Sequence, residues 1–207
     1  IDFYDKSKPV VTKVDSHGMF DSMDICLVQS GGSHADLSND YAEIFTDCKD
    51  ISHYFNQEVL SRVDEKQFNK ELKTLYTRFD TRAILRAHHF FKENNRVLDL
   101  MEDLKQGNLT FFLQHIIDSG LSSMNYLHNT WNKHSNKQGL ALALMMAEDH
   151  LKGKGAYRVH GGGFAGTILL FVPKQDTQSL KKSYEAVFGK GSFIQIRLRE
   201  VGVYQIS

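Results

Sequence analysis

Gly161, Gly162, Gly163 and Gly166 fall within six positions, and runs of apolar and β-branched residues stand on either side of them. Without Cβ atoms the backbone there can double back tightly and turn successive N–H groups toward one point, the geometry of an anion-binding nest. The residues that follow, from Thr167 and Ile168 to Val172, are β-branched and apolar and stop at Pro173, so they read as a strand. Residues 156–160 read as the strand before it. The segment is therefore a glycine loop between two strands, able to accept a phosphate. It also satisfies G-x-G-x-x-G, but a dinucleotide loop must open a helix, and here a strand follows. A protein-kinase glycine loop does lie between strands. That loop is followed by a strand lysine, a catalytic loop and an Asp-Phe-Gly, and the rest of the chain supplies none of them.

Ile25, Cys26, Leu27 and Val28 form a short apolar run with the length of a buried strand, and residues 10–14 are a second candidate strand. Ser38 or Asn39 can cap a helix carrying Tyr41, Ile44, Phe45 and Cys48, which puts Tyr41 in its first turn. The longest helix opens at Asp80 or Thr81 and stops at Gly107. Ala83, Ala87, Phe90, Val97, Met101 and Leu104 lie on one stripe of it, with Ile84, Phe91 and Leu98 beside them. Residues 109–117 and 122–131 read as two shorter helices, and residues 138–151 as a buried one, apolar on most sides. Residues 177–188 form a helix ended by Gly189, and residues 193–198 alternate as a half-buried strand. A helix-rich middle framed by strands means α+β, and no repeat or proline-rich linker divides residues 1–207 into more than one domain.

The chain has 207 residues, with 25 basic side chains balanced by 25 acidic ones. No basic run breaks that balance, so neither nucleic acid nor an anionic membrane surface is an expected partner. Cys26 and Cys48 make neither a disulfide framework nor a paired zinc motif. No apolar run approaches membrane-spanning length and no signal peptide is present, so a cytoplasmic protein is expected. The opening Ile1-Asp2-Phe3, mid-pattern and without methionine, reads as the edge of a fragment.

The segment from Arg158 to Ile168 resembles the third signature of the GHMP small-molecule kinases, in the form carried by bacterial galactokinases. Asp2, Phe3, Lys8, Pro9 and Val10 resemble the stretch just after that family's catalytic aspartate. Residues 31–41, Gly31 to Tyr41, resemble its sugar-side loop and helix start. Residues 82–90 with Asn95, Arg96 and Val97 resemble its central helix, and Ser119, Gly120, Ser122, Ser123, Tyr126 and Leu127 the next one. The resemblance implies a GHMP C-terminal domain, an antiparallel sheet of ferredoxin-like core with a helix-rich insertion. It implies ATP-dependent phosphorylation of galactose at the anomeric hydroxyl, with ATP and Mg2+ as co-substrate and ion. The family's first signature, its Gly-Leu-Ser-Ser-Ser phosphate loop and its catalytic aspartate have no counterpart here. No Asp or Glu of this chain is therefore expected to be the general base. The missing N-terminal half is an expected partner, and the fragment alone is expected to be inactive and to self-associate through uncovered apolar surface. Two alternatives keep the resemblance: a GHMP kinase for another small alcohol, and a regulator that binds galactose and ATP without turnover.

By that resemblance Tyr41 is the substrate residue, its phenol offering one hydrogen bond and a flat face to a pyranose. Gly161, Gly162, Gly163, Phe164, Ala165 and Gly166 are the nucleotide-binding or phosphate-loop-supporting residues. Ser33, His34 and Asp36 offer the three groups of a triad, but side chains so close on one turn do not reach its geometry. Adjacent His88 and His89 point about 100° apart on a helix and cannot share a metal. Residues 120–123 imitate a phosphate loop, but Ser119 or Ser122 as a helix N-cap is the better reading. Phe90, Phe91, Phe111 and Phe112 are core aromatics by spacing. Arg158 and His160 flank Val159 and so share one side of their strand, toward the nucleotide or the missing half.

Overall fold

The apolar run read at residues 25–28 extends to a seven-residue strand, β1 (Met23–Gln29), in a computed structural model that describes residues 1, 4, 7–16, 18–32, 37–164 and 166–198. β2 (Ala156–His160) and β3 (Thr167–Pro173) form an antiparallel hairpin around the glycines, with Val159 opposite Ile168 and His160 opposite Thr167. β1 pairs antiparallel with β3 on one side and with β4 (Phe193–Ile196) on the other. The order β2-β3-β1-β4 is that of a split β-α-β-β-α-β sheet.

Period-two alternation assigns the two faces. Cys26, Val28, Val159, Ile168, Leu170 and Val172 face one core, filled by α6 (Gly139–Leu151) and α7 (Thr177–Phe188). Tyr184 lies wholly inside it and donates its hydroxyl to the Ala143 carbonyl at 3.0 Å. Ile25, Ala156, Leu169 and Phe171 face the other core, built with α5 (Leu109–Ser122) and the end of α4 (Thr81–Gln106). There the rings of Phe20, Phe112 and Phe171 meet at 5.2–5.6 Å. A third core joins α1 (Ser38–Tyr54), α2 (Glu65–Lys70), α3 (Leu72–Arg78) and the first turns of α4 around Ile51, Phe68, Leu75 and Ala87.

Several expectations change. Val10 makes only an isolated bridge, and Val10 and Val11 are 62% and 70% exposed, so residues 10–14 have no buried face to make them a strand. The helices α2 and α3 escape the periodic reading because six and seven residues give each only one fully buried anchor, Phe68 and Leu75. Residues 109–117 and 122–131 are not two helices. α5 runs unbroken through Ser119 into a π-helical turn, Ser123–Leu127, and stops at His128 with φ 54°. Ser119 and Ser122 are therefore interior, buried helix residues and not caps. The residue preceding α1 is Leu37, with no side-chain cap, which leaves Ser38 and Asn39 inside the first turn. Asp80 does cap α4, accepting the Arg82 N–H at 2.8 Å, and Gly107 ends it with φ 64°. Beyond Phe91 the α4 stripe is only partly covered: Val97 and Leu98 are exposed, as is Phe111.

Two glycines act through contact. A Cβ on Gly120 would sit 3.1 Å from the Tyr157 carbonyl oxygen, so the segment that imitates a phosphate loop is instead where α5 presses on β2. A Cβ on Gly139 would overlap the Ser30 carbonyl oxygen at the end of β1. Alanine in place of glycine ordinarily stabilises a helix, by about 0.5–1 kcal/mol. Gly139→Ala is nonetheless expected to lower stability, by about 1–3 kcal/mol in a denaturant titration, because a backbone carbonyl must be pushed aside. A stabilised variant would show that α6 does not bear on Ser30.

Candidate functional site

The hairpin between β2 and β3 is held from two directions. From α1, the Tyr41 hydroxyl donates to the Gly163 carbonyl at 2.8 Å. From the residue after His128, the Asn129 side-chain amide donates to the Gly162 carbonyl at 3.1 Å, and the Phe164 N–H donates to the Asn129 backbone carbonyl. With both glycine carbonyls engaged, the peptide planes of the turn are fixed. At its base, the Gly166 N–H donates to the Gly31 carbonyl at 3.1 Å, while the Ser30 N–H and hydroxyl donate to the Gly166 carbonyl at 2.8 and 2.7 Å. Burial, and then the neighbouring Asp40 carboxylate, push the Tyr41 phenol above its ordinary pKa, so it remains a donor at neutral pH.

Each glycine has a distinct reason to be there. Gly161 has φ +77° and nothing within 4 Å of a notional Cβ, so it borders open space. A Cβ on Gly162 would overlap the Tyr41 ring. Gly163 combines φ +80° with overlap onto the Asn129 carbonyl. Phe164 also has positive φ, 60°, and its buried ring packs edge-on against Tyr41 with centroids 5.5 Å apart. Phe164 and Gly166 thus spend their N–H groups on Asn129 and Gly31, which flank the loop. Among the described residues no acceptor meets the N–H groups of Gly161 and Gly162, which are exposed. Those two donors suit one edge of an anion.

Arg158 is engaged by the helices packed on its strand. Its guanidinium donates to the Ser119 hydroxyl at 2.6 Å and lies 3.9 Å from Glu93, while the Ser119 hydroxyl donates to Glu93 at 2.5 Å. Arg96 closes the cluster on Glu93 at 2.9 Å. Burial raises the Glu93 pKa, but its bonds from Ser119 and Arg96 outweigh that and hold the carboxyl below its usual range. Charges shared by α4, α5 and β2 thus anchor the strand that enters the glycine turn. His160, next to the turn, is exposed. His88 packs edge-on to Tyr126 at 5.0 Å, and His89 pairs with the Ser122 hydroxyl at 2.9 Å. Among the described residues no group of three or more His, Cys, Asp or Glu side chains is placed to hold a metal ion. Asp2, Phe3, Ser33, His34, Asp36 and Ala165 lie outside the described residues.

Tyr41 and the glycines were legible in the sequence; Asn129 was not. It is 2% exposed and comes directly after the π-helical turn, in a stretch whose composition reads as continuous helix.

The architecture is an α+β fold with a four-stranded antiparallel sheet, in which a tyrosine of α1 donates to the glycine turn between β2 and β3. No family model matches the chain. It is 27% identical over 169 residues to a galactokinase of Haemophilus influenzae, covering 80% of this chain and 42% of that protein. It is 26% identical over 158 residues to a galactokinase of Mannheimia succiniciproducens, covering 76% and 39%. The crystal structure of Lactococcus lactis galactokinase complexed with galactose superposes with a TM-score of 0.69 at 22% identity, over 84% of this chain and 45% of that one. The chain thus spans about 40% of the length of the curated relatives it matches, and it resembles a galactokinase C-terminal region.

The three consecutive glycines should respond unequally to alanine. Gly161→Ala is expected to cost about 1–2 kcal/mol, the left-handed backbone alone. Gly163→Ala should cost more, because the same strain is joined by overlap with Asn129. Gly162→Ala should displace the Tyr41 ring, visible as altered tyrosine fluorescence or aromatic NMR shifts. Equal thermal destabilisation by all three would mean that neither Tyr41 nor Asn129 holds the turn.

Proposed function

We propose that residues 1–207 are the single C-terminal domain of a GHMP-type galactokinase, an enzyme that transfers the γ-phosphoryl group of ATP to the anomeric hydroxyl of galactose in the cytoplasm. The observation that carries the reading is the 2.8 Å bond from Tyr41 to Gly163, which joins a sugar-side residue to the phosphate-side loop across 122 positions of sequence. The galactokinase names of the relatives support the substrate, and the split sheet supports the placement within the C-terminal half.

In this reading the exposed N–H groups of Gly161 and Gly162 donate to phosphate oxygens, while Phe164, Ala165 and Gly166 shape the loop that presents them. Tyr41 spends its hydroxyl proton on Gly163. In this arrangement it does not meet the sugar as a donor. Arg158, on the strand that enters the loop, is committed to Glu93 and Ser119 and not to the phosphates. Neutralising the phosphates is left to the magnesium that accompanies ATP and to the N-terminal half of the protein. The loop supports a phosphate site and is not the whole of one. ATP supplies the phosphoryl group and positioned groups supply most of the rate, so a carboxylate that orients the hydroxyl must come from that other half.

Phosphorylation of galactose by ATP tests the reading. The 207-residue chain alone should show none above a no-protein control, and the protein extended by the counterpart of the relatives' N-terminal part should show turnover. In that longer protein Tyr41→Phe should weaken both galactose and ATP, each by several-fold, since about 0.5–1.5 kcal/mol of loop-holding hydrogen bond is lost. Turnover by the chain alone, or a longer protein that phosphorylates another small alcohol in preference to galactose, would overturn it.

A further inference from the structure

A cavity of about 220 Å³ opens between α5 and α6 and shares no residue with Tyr41, Asn129 or the glycine turn. By volume it can hold one ring with a short chain, since an apolar cavity of about 150 Å³ already takes a benzene molecule. Its walls are Leu121 and Met124 on one side and Leu144 and Met145 on the other. Leu121, Met124 and Met145 are 44–51% exposed, so an apolar ligand can reach them, and flexible thioether side chains adapt to its shape.

Thr130, Tyr157 and Glu148 interrupt this apolar lining with two hydroxyls and a carboxylate. None of the three side chains has a hydrogen-bond or ion-pair partner among the described residues, and neither hydroxyl is sealed from solvent. Burial, and then Glu148, push the Tyr157 phenol above its ordinary pKa, so the carboxylate lies near the ring and the phenol stays protonated at neutral pH. Glu148 stands in the last turn of α6, where free carbonyls already concentrate negative charge, so the helix itself disfavours a carboxylate there. An exposed anion held against its helix, without a cation, in an otherwise apolar cavity is complementary to a positively charged ligand head.

We infer that this cavity binds a small organic ammonium ion, an apolar ring or branched alkyl body that carries one protonated amine. The body lies between Met124 and Met145, the ammonium group donates to Glu148, and the Tyr157 and Thr130 oxygens accept its remaining hydrogens. The inference stands on this cavity and is independent of the kinase reading.

NMR spectra of the 207-residue chain labelled with 13C at its methionine methyls read the site directly, because Met124 and Met145 line it while Met19, Met23 and Met101 do not. Titration with 2-phenylethylammonium should shift the Met124 and Met145 methyls saturably, half-complete on the order of millimolar, and leave the other three in place. The uncharged 2-phenylethanol should bind about three- to fivefold more weakly, and the anionic 3-phenylpropionate no better than the alcohol. Glu148→Gln should weaken the amine to the level of the alcohol. It should not lower Tm, since it removes an anion from the C-terminal turn of α6, so lost binding cannot be put down to unfolding. Four results would overturn the assignment. The amine could give no saturable shift at the two methyls, or shift all the methionines alike, as non-specific apolar contact would. The alcohol or the propionate could bind as tightly as the amine, or the preference for the amine could survive in Glu148→Gln.

Discussion

Two side-chain hydrogen bonds onto consecutive carbonyls, Asn129 to Gly162 and Tyr41 to Gly163, set the shape on which the site depends. A turn rich in glycine has little conformational preference of its own, and its backbone entropy opposes any single arrangement. Partners outside the turn must supply the preference. Tyr41 reaches it from the first turn of α1, and Asn129 because α5 loosens into a π turn and stops at a left-handed His128. The sheet brings the turn to them, since β3 is central and pairs with both β1 and β2.

The same logic explains where charge is buried. Glu93 on α4 collects Arg96 from its own helix, Ser119 from α5 and Arg158 from β2. Such a cluster has little net effect on stability while it is complete, and removing one member leaves an unpaired charge in a protected place. Its structural consequence is directional: β2 is tied to the helical layer two residues before the chain enters the glycine turn. Arg158 is therefore part of the scaffold beneath the turn.

How much could be read beforehand follows from what each feature leaves in the sequence. The sheet strands and α4 announce themselves because Val28, Ile168 and Leu170, or Ala83, Ala87 and Phe91, repeat at the period of their element. The hairpin does so because its glycines cluster between two apolar runs. α2 and α3 leave too few anchors to set a period. Ser119 and Ser122 look like caps, yet they serve as interior polar contacts, and only the partners on α4 and β2 distinguish the two roles. Val97, Leu98 and Phe111 share the apolar spacing of covered residues but lack a neighbouring layer. Asn129 left no signal, because its function depends on the fold that brings it to Gly162.

Amide hydrogen exchange at Phe164 tests the central claim most directly, since that N–H donates to Asn129 and lies one residue beyond the carbonyl held by Tyr41. In the intact chain it should be protected. Tyr41→Phe should speed its exchange about five- to tenfold, the equivalent of one lost hydrogen bond of about 1 kcal/mol, while amides in the middle of α4 stay unchanged. Unaltered protection at Phe164 in that variant would show that the turn holds its shape without Tyr41, and would remove the link between the sugar-side helix and the glycine loop.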